Sequence, residues 1–280
     1  MAAAVRDDML GMARRHALIV VARLVVAAIL LIGDRVEIPI PAFAAPSVTR
    51  EMSAHFGLAG VSTLEVDTGF ADLTLGSAQT LRQAGPAGSA APPLIGSGMA
   101  GVDVTGKVRG YRREAVDDVR IALDRSGERA TLRLDPTDRF GRRGLSGDFS
   151  LQVPDHVALL VRTSNGDITV NGHAAALDVS TGNGDLRLRG ISGAPLRVGD
   201  GNGDIAVGFA PGWTVSHVQV YDGNGDITLE LPGAVAPTLY TSIGSGDLHD
   251  GANLPRADRS VADFVLRTGN GDITIRRKRL

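Results

Sequence analysis

From Leu159 onward the chain alternates apolar and polar residues in short runs, and each run breaks at nearly the same word. Leu159, Val161 and Thr163 lead into Ser164-Asn165-Gly166-Asp167, after which Ile168 and Val170 resume the alternation. The pattern returns as Leu177, Val179, Thr181 then Leu186, Leu188; as Leu196, Val198 then Ile205, Val207; as Val218, Val220 then Ile227, Leu229; and as Phe264, Leu266, Thr268 then Ile273, Ile275. A period of two puts one apolar face on a β-strand. Asn-Gly between two such runs is a strong turn signal, because both residues tolerate positive φ, so each unit is predicted as strand, tight turn, strand.

Such a pair of short strands cannot bury its apolar face alone, since an isolated hairpin is marginal in water. The unit recurs six times, and its central glycines, Gly166, Gly184, Gly203, Gly225, Gly246 and Gly271, lie 18, 19, 22, 21 and 25 residues apart. Regular recurrence at this period is the mark of a repeat architecture. If the units stack, their aliphatic rows join into one core, each buried side chain contributing about 1.5 to 3 kcal/mol before conformational entropy is charged against it. The predicted fold is therefore all-β, a single elongated β-solenoid with rungs of about 20 residues. A twisted antiparallel meander or sandwich of hairpins is the rival that the same local pattern permits. Identical turns at near-constant spacing favour the solenoid.

The division predicted along the chain is residues 1–45 as an export signal or N-terminal membrane anchor, 46–160 as degenerate rungs with inserted loops, and 161–280 as the regular solenoid. Arg14 and Arg15 precede an apolar stretch from Ala17 to Gly33, broken by Arg23, and Ala42-Phe43-Ala44-Ala45 has the small residues of a cleavage site. A cleaved signal is preferred to an anchor helix over 17–33, because Arg23 and marginal length weaken a membrane span. Val61 to Leu75 is an atypical first rung, with Thr68-Gly69 and Ala71-Asp72 in place of the repeated word. Val119 to Leu134 is predicted as a hairpin about Ser126-Gly127. Residues 83–98 and 138–147 are expected to be surface loops. The basic run Arg276-Arg277-Lys278-Arg279 is expected to keep a terminal edge of the solenoid soluble.

Composition narrows the chemistry. The chain of 280 residues carries a net charge of -2, which gives no global bias toward nucleic acid, and it has no cysteine, hence no disulfide framework or thiolate metal site. It contains no G-x-S-x-G, P-loop or dinucleotide fingerprint. Stacking would bring the turn residues together as a ladder: Asn165, Gly166, Asp167; Asn183, Gly184, Asp185; Asn202, Gly203, Asp204; Asn224, Gly225, Asp226; Gly246, Asp247; and Asn270, Gly271, Asp272. At about 4.8 Å, the spacing of neighbouring strands, bare carboxylates repel by about 0.9 kcal/mol in water. Two things could offset that. Each carboxylate can accept backbone N–H groups of its own turn, with the asparagine amides adding donors, or a row of Ca²⁺ ions can lie along the ladder. The first is preferred and no cofactor is expected, because known calcium repeats use a shorter period and another spacing of Gly and Asp.

Catalysis is not expected. A polysaccharide-cleaving enzyme needs suitably placed carboxylates, but the acidic residues are spread evenly, no unit carries an odd cluster, Glu65, Glu114, Glu128 and Glu230 are isolated, and aromatics are 4%. His156, His173, His217 and His249 lack metal-ligand spacing. Trp213 is expected to pack over a solenoid edge.

The TGNGDITV-like units, plainest in Arg267-Thr268-Gly269-Asn270-Gly271-Asp272-Ile273-Thr274-Ile275, make residues 55–280 resemble the bacterial putative-adhesin β-strand-repeat families, domains of unknown function. The resemblance implies an all-β solenoid at or beyond the cell envelope, with no catalytic set to transfer. A fold does not by itself specify a function. The expectation is a non-enzymatic, exported scaffold or binding protein, adhesin-like, periplasmic, cell-surface or extracellular. Its partner would be an envelope protein or a surface glycan, met through outward rows such as Thr169, Arg187, Thr228 and Thr274. The alternative is an envelope-stress or signalling accessory that docks a partner through a solenoid end.

Overall fold

The computed structural model describes residues 48–77, 101–136, 144–193, 195–213, 217–233 and 236–278. The segment expected to direct export, the expected loop over 83–98, residues 138–143 of that over 138–147, and Arg279 lie outside the described residues, while Leu145, Ser146 and Gly147, expected as loop, are strand because they pair with their neighbours in the sheet. In chain order the strands are β1 (Val48–Gly57), β2 (Thr63–Thr68), β3 (Ala71–Gly76) and β4 (Gly101–Gly110), followed by the single helical turn α1 (Arg113–Asp117). Then come β5 (Val119–Ser126), β6 (Arg129–Pro136), β7 (Leu145–Gln152), β8 (Ala158–Thr163), β9 (Ile168–His173), β10 (Leu177–Thr181), β11 (Leu186–Ile191) and β12 (Leu196–Asn202). The last are β13 (Ile205–Phe209), β14 (Val218–Asn224), β15 (Ile227–Pro232), β16 (Leu239–Ser245), β17 (Leu248–Asp250), β18 (Phe264–Asn270) and β19 (Ile273–Lys278).

These strands make two facing sheets. The first runs β1-β4-β7-β3-β9-β11-β13-β15-β19-β17, the second β16-β18-β14-β12-β10-β8-β2-β6-β5. Each repeat places one strand in each sheet, and its neighbours in both sheets are strands of adjacent rungs, paired in parallel: β8 with β10, β10 with β12, β12 with β14, and likewise β9 with β11, β11 with β13, β13 with β15. The solenoid prediction holds. The local reading of each unit does not: the strands flanking Asn-Gly never pair with each other, so the word marks a corner between sheets and not a hairpin turn. The two central φ values explain why. Gly184 has a φ of +140° while no asparagine of the repeat is at positive φ, so the primed turn that closes a two-residue hairpin is never formed.

Parallel register turns the alternation into continuous rows. Leu73, Ile168, Leu186, Ile205, Ile227 and Ile273 are aligned in one sheet, and Leu64, Leu159, Leu177, Leu196, Val218 and Phe264 in the other. All are buried. Val61 to Leu75 joins the stack as a rung, with Leu64, Val66 and Thr68 opposite Leu159, Val161 and Thr163.

The other side of that rung is built differently. β1, β4 and β7 pair antiparallel, and β5 and β6 form the predicted hairpin, with Ser126 opposite Arg129. Chain order fails at the far end too. β18 and β19 insert between the β14–β15 rung and the β16–β17 rung, so the last repeat in sequence is not the last in space. Arg276 and Arg277 therefore do not guard a terminal edge: Arg276 pairs with Glu230 of the neighbouring rung and Arg277 donates to the Gly233 and Ala252 carbonyls. The physical reason is sequence quality. The GSGDLHD unit has Ser245 where the others have Asn and a second strand of three residues, which suits an end. The complete word at Gly269 can bond neighbours on both sides. Segment 251–263 carries the chain back, and its Leu239–Arg256 bridge covers the start of β16.

Candidate functional site

Every corner is a close approach of backbone to backbone. A methyl group on Gly182 would meet the Ser164 carbonyl at 2.7 Å, and one on Gly184 would run into the Gly166 carbonyl. At Gly184 the positive φ excludes other residues as well. Glycine is thus required on both sides of Asn183, and the corners stack tightly enough for their side chains to bond from rung to rung.

The predicted ladder residues are brought together in two files. Asn183 donates its amide to Asn165 Oδ1 at 3.1 Å, Asn202 to Asn183 at 3.1 Å, Asn224 to Asn202 at 2.9 Å and Asn270 to Asn224 at 2.7 Å. Beside them runs a file of aspartates. The backbone N–H of Asp167 donates to Asp72 Oδ1, that of Asp185 to Asp167, of Asp204 to Asp185, of Asp226 to Asp204, of Asp272 to Asp226 and of Asp247 to Asp272, all between 2.8 and 3.0 Å. The acceptor is the carboxylate of the adjacent rung and not of the same turn, which corrects the expectation that each aspartate serves its own turn. Hydrogen bonds to a charged acceptor are the stronger kind. Arg187 adds a positive charge between two of them, 2.5 Å from Asp185 and 3.3 Å from Asp167. Among the described residues no three His, Cys, Asp or Glu side chains converge on a point where a metal ion could sit.

The outward rows are also adjacent in space. Thr169, Arg187, Ala206, Thr228 and Thr274 lie side by side on β9, β11, β13, β15 and β19, and Asn171, Arg189, Gly208, Glu230 and Arg276 form the next row. Ala206 and Gly208 are the small members of both rows, so β13 becomes the floor of a groove of about 410 Å³. Its lining carries four cations, Arg187, Arg189, Arg276 and Lys278, against one carboxylate, Glu230. Farther along the same sheet a second cleft of about 620 Å³ has the opposite balance, with Glu51, Asp72 and Asp148 against Lys107. Phe149 fills the space that a side chain at Gly106 would need there. The groove floor could have been found in the sequence, since GNGDIAVGF is the repeat whose outward positions are Ala and Gly.

A second feature escaped the sequence reading. The residue just before Gly-Asn-Gly is Thr181 or Thr268 in two units but Asp200 and Asp222 in the two between them in space, so an odd pair does break the pattern. Both aspartates are buried, at 9% and 7% exposure. Burial, opposed by N–H groups of the corner, raises the Asp200 pKa above the ordinary carboxylate range. Burial and then the charge of Asp200 push Asp222 up to about 6. His173 is buried as well, and burial lowers its pKa. Trp213 packs against Phe209 at 4.2 Å and Phe264 at 5.5 Å between ring centroids.

Parallel rungs joined by glycine corners define a β-solenoid, and the family match agrees with that class. Residues 143–276 match the family Toastrack DUF4097. The chain is similar to a putative cell adhesion protein from Clostridium sporogenes ATCC 15579, with 13% identity and a TM-score of 0.48 over 82% of this chain and 100% of that one. It is similar also to a putative adhesin from Bacteroides fragilis NCTC 9343, with 11% identity and a TM-score of 0.41 over 82% and 99%. No curated protein matches the chain at a significant level.

Proposed function

We propose that this chain is a non-enzymatic, adhesin-like binding scaffold of the cell envelope, in which the stacked rungs hold the basic groove over β13 open for an acidic surface glycan. The groove is the observation that carries this. It is formed by side chains of four rungs on rigid strands, and its charge balance is that of a site for anions. Arg187 and Arg276 are already aligned by Asp185 and Glu230, which limits the side-chain entropy lost on binding. A non-enzymatic role is supported by where the unusual carboxylates lie. Asp200 and Asp222 sit inside their corners, away from either cleft, and the ladder carboxylates bond the backbone of the next rung. Envelope placement rests on the export segment expected within residues 1–45.

Gly208 provides the test, because a β-carbon there meets nothing closer than 3.7 Å and its backbone is not at positive φ. Gly208→Phe fills the groove with the stack intact. Binding of polygalacturonate, with neutral dextran as control, is expected in the parent and lost in the variant. Equal binding by both proteins, or none by the parent, would overturn the groove as the binding surface.

Docking of a protein partner at the β16–β17 end is the second reading, favoured by one observation. Among the described residues Asp247 is the last aspartate of its file, with no further rung beyond it in either sheet. Loss of partner capture on Asp247→Arg, with polygalacturonate binding unchanged, would select it.

A further inference from the structure

The residue that precedes each Gly-Asn-Gly points into its corner, and where it is threonine its hydroxyl donates to a backbone carbonyl. Thr181 reaches the Gly166 carbonyl at 3.2 Å and its own Asn183 carbonyl at 3.3 Å, and Thr268 reaches the Gly225 carbonyl at 3.2 Å. Asp200 and Asp222 take the same position on β12 and β14. They are in register with each other, and with Thr181 on one side and Thr268 on the other.

Each carboxyl is half satisfied. Oδ1 accepts the N–H of the corner asparagine, at 3.2 Å from Asn202 for Asp200 and at 3.1 Å from Asn224 for Asp222. Oδ2 of each is buried and has no partner. A methyl group on Gly203 would meet Asp200 Oδ2 at 2.7 Å and would also run into the Gly184 carbonyl; one on Gly225 would meet Asp222 Oδ2 at 2.8 Å and run into the Gly203 carbonyl. The orphan oxygens therefore lie beside the carbonyls that threonine hydroxyls satisfy in the other corners. An ionised carboxylate can only accept, so that arrangement sets acceptor against acceptor, whereas a protonated one carries an O–H donor.

The surrounding charges favour the proton. Asp185 and Asp204 act on Asp200, and Asp200 and Asp204 act on Asp222. Thr181 and Thr268, from the flanking strands β10 and β18, are neutral. We propose that Asp200 and Asp222 form a buried proton-binding site, a pair of carboxylic acids whose O–H groups replace the threonine hydroxyls and whose ionisation, with release of the protons to solvent, loosens the middle of the stack. The corners concerned lead from β12 into β13 and from β14 into β15, the floor and one wall of the basic groove. Proton release is expected to weaken ligand binding there. That last consequence rests on the groove's being the binding surface; the proton site itself does not.

The upward pKa shifts agree in sign. A carboxyl whose folded-state pKa exceeds its ordinary 3.8 adds stability that is fully present below 3.8 and, for Asp222, lost as the pH rises through about 6. His173, held below its ordinary 6.5 by burial, works the other way, its stability being lost as the pH falls through and below 6.5. The measurement must therefore be a difference between parent and variant.

Two readouts on the full chain test the proposal. In a carboxyl ¹³C NMR titration the Asp200 and Asp222 signals are expected to titrate above the ordinary aspartate value of 3.8, Asp222 with a midpoint of about 6. Signals titrating at or below that ordinary value would overturn it. Asp200→Asn with Asp222→Asn supplies an amide donor that does not ionise. The melting temperature of this variant is expected to gain on that of the parent as the pH is raised from 4 to 8, with Asp200→Thr and Asp222→Thr behaving alike. A constant difference, or one that shrinks, contradicts the proposal. So does a parent melting temperature at pH 8 that calcium chloride raises and a chelator restores, since the occupant would then be a metal ion.

Discussion

Between β5 and β6 the chain reverses at Gly127, whose φ is +60° and beside which a side chain would find open space. Between β10 and β11 it turns at Gly184, at φ +140° and against the carbonyl of the rung below. The first glycine serves a local reversal that closes an antiparallel pair. The second serves a stack, because its missing side chain lets one corner lie on the next. The two regions show what a repeat gains over a hairpin: register is set in β5–β6 by one turn, but in the rungs it is set again at successive corners by a file of aspartates and, from Asn165 to Asn270, a file of asparagines.

The sharpest way to break this comparison is to add a methyl group to each glycine. Gly184→Ala combines a backbone conformation that costs about 1–3 kcal/mol with overlap against a main chain that cannot rotate away, so a loss of about 3 kcal/mol or more is expected in urea unfolding. Gly127→Ala should lose only about 1 kcal/mol. Equal losses would remove the distinction between corner and hairpin.

A smaller effect is expected from the carboxylates. Asp185→Ala takes the acceptor from the Asp204 N–H and a partner from Arg187, for an expected loss of about 2 kcal/mol. Asp185→Asn keeps an acceptor oxygen and should recover most of it. Asp124, exposed on the hairpin, should give less than about 0.5 kcal/mol on replacement by alanine. Asn202→Ala, which cuts the amide file on both sides, should fall near 1 kcal/mol. Last, Arg276→Ala removes an exposed pair with Glu230 and should change stability by less than about 1 kcal/mol.

Much of this architecture was legible because alternation and turn word recur together. Stacking on the next unit buries Leu177, Val179, Leu186 and Leu188 against the same residues of that unit, and near-constant spacing favoured this over a sandwich of hairpins. What the corner does with its hydrogen bonds was not legible. Asn-Gly has the same signature in a hairpin and in a solenoid corner, and the difference lies in which strand arrives alongside. For the same reason the partner of the Asp185 carboxylate, the N–H of Asp204, could be assigned only with the rungs in place. The insertion of β18 between β14 and β16 depends on segment 251–263 being able to carry the chain back past a rung, which no periodicity records. Asp200 and Asp222 were visible as departures from threonine, but their burial, and so their chemistry, follows from the corner's inward side.

The order of the rungs offers the most direct measurement. The chain has no cysteine, so an introduced pair reports only on itself. Thr228 and Thr274 are register partners on β15 and β19, at a neighbouring-strand separation of about 4.8 Å, which is within disulfide reach. Thr228→Cys with Thr274→Cys is expected to form an intramolecular disulfide under mild oxidation, and Thr228→Cys with His249→Cys is expected not to, because β19 lies between β15 and β17. The reverse result, a bond between positions 228 and 249 and none between 228 and 274, would contradict the stacking of the corners described above.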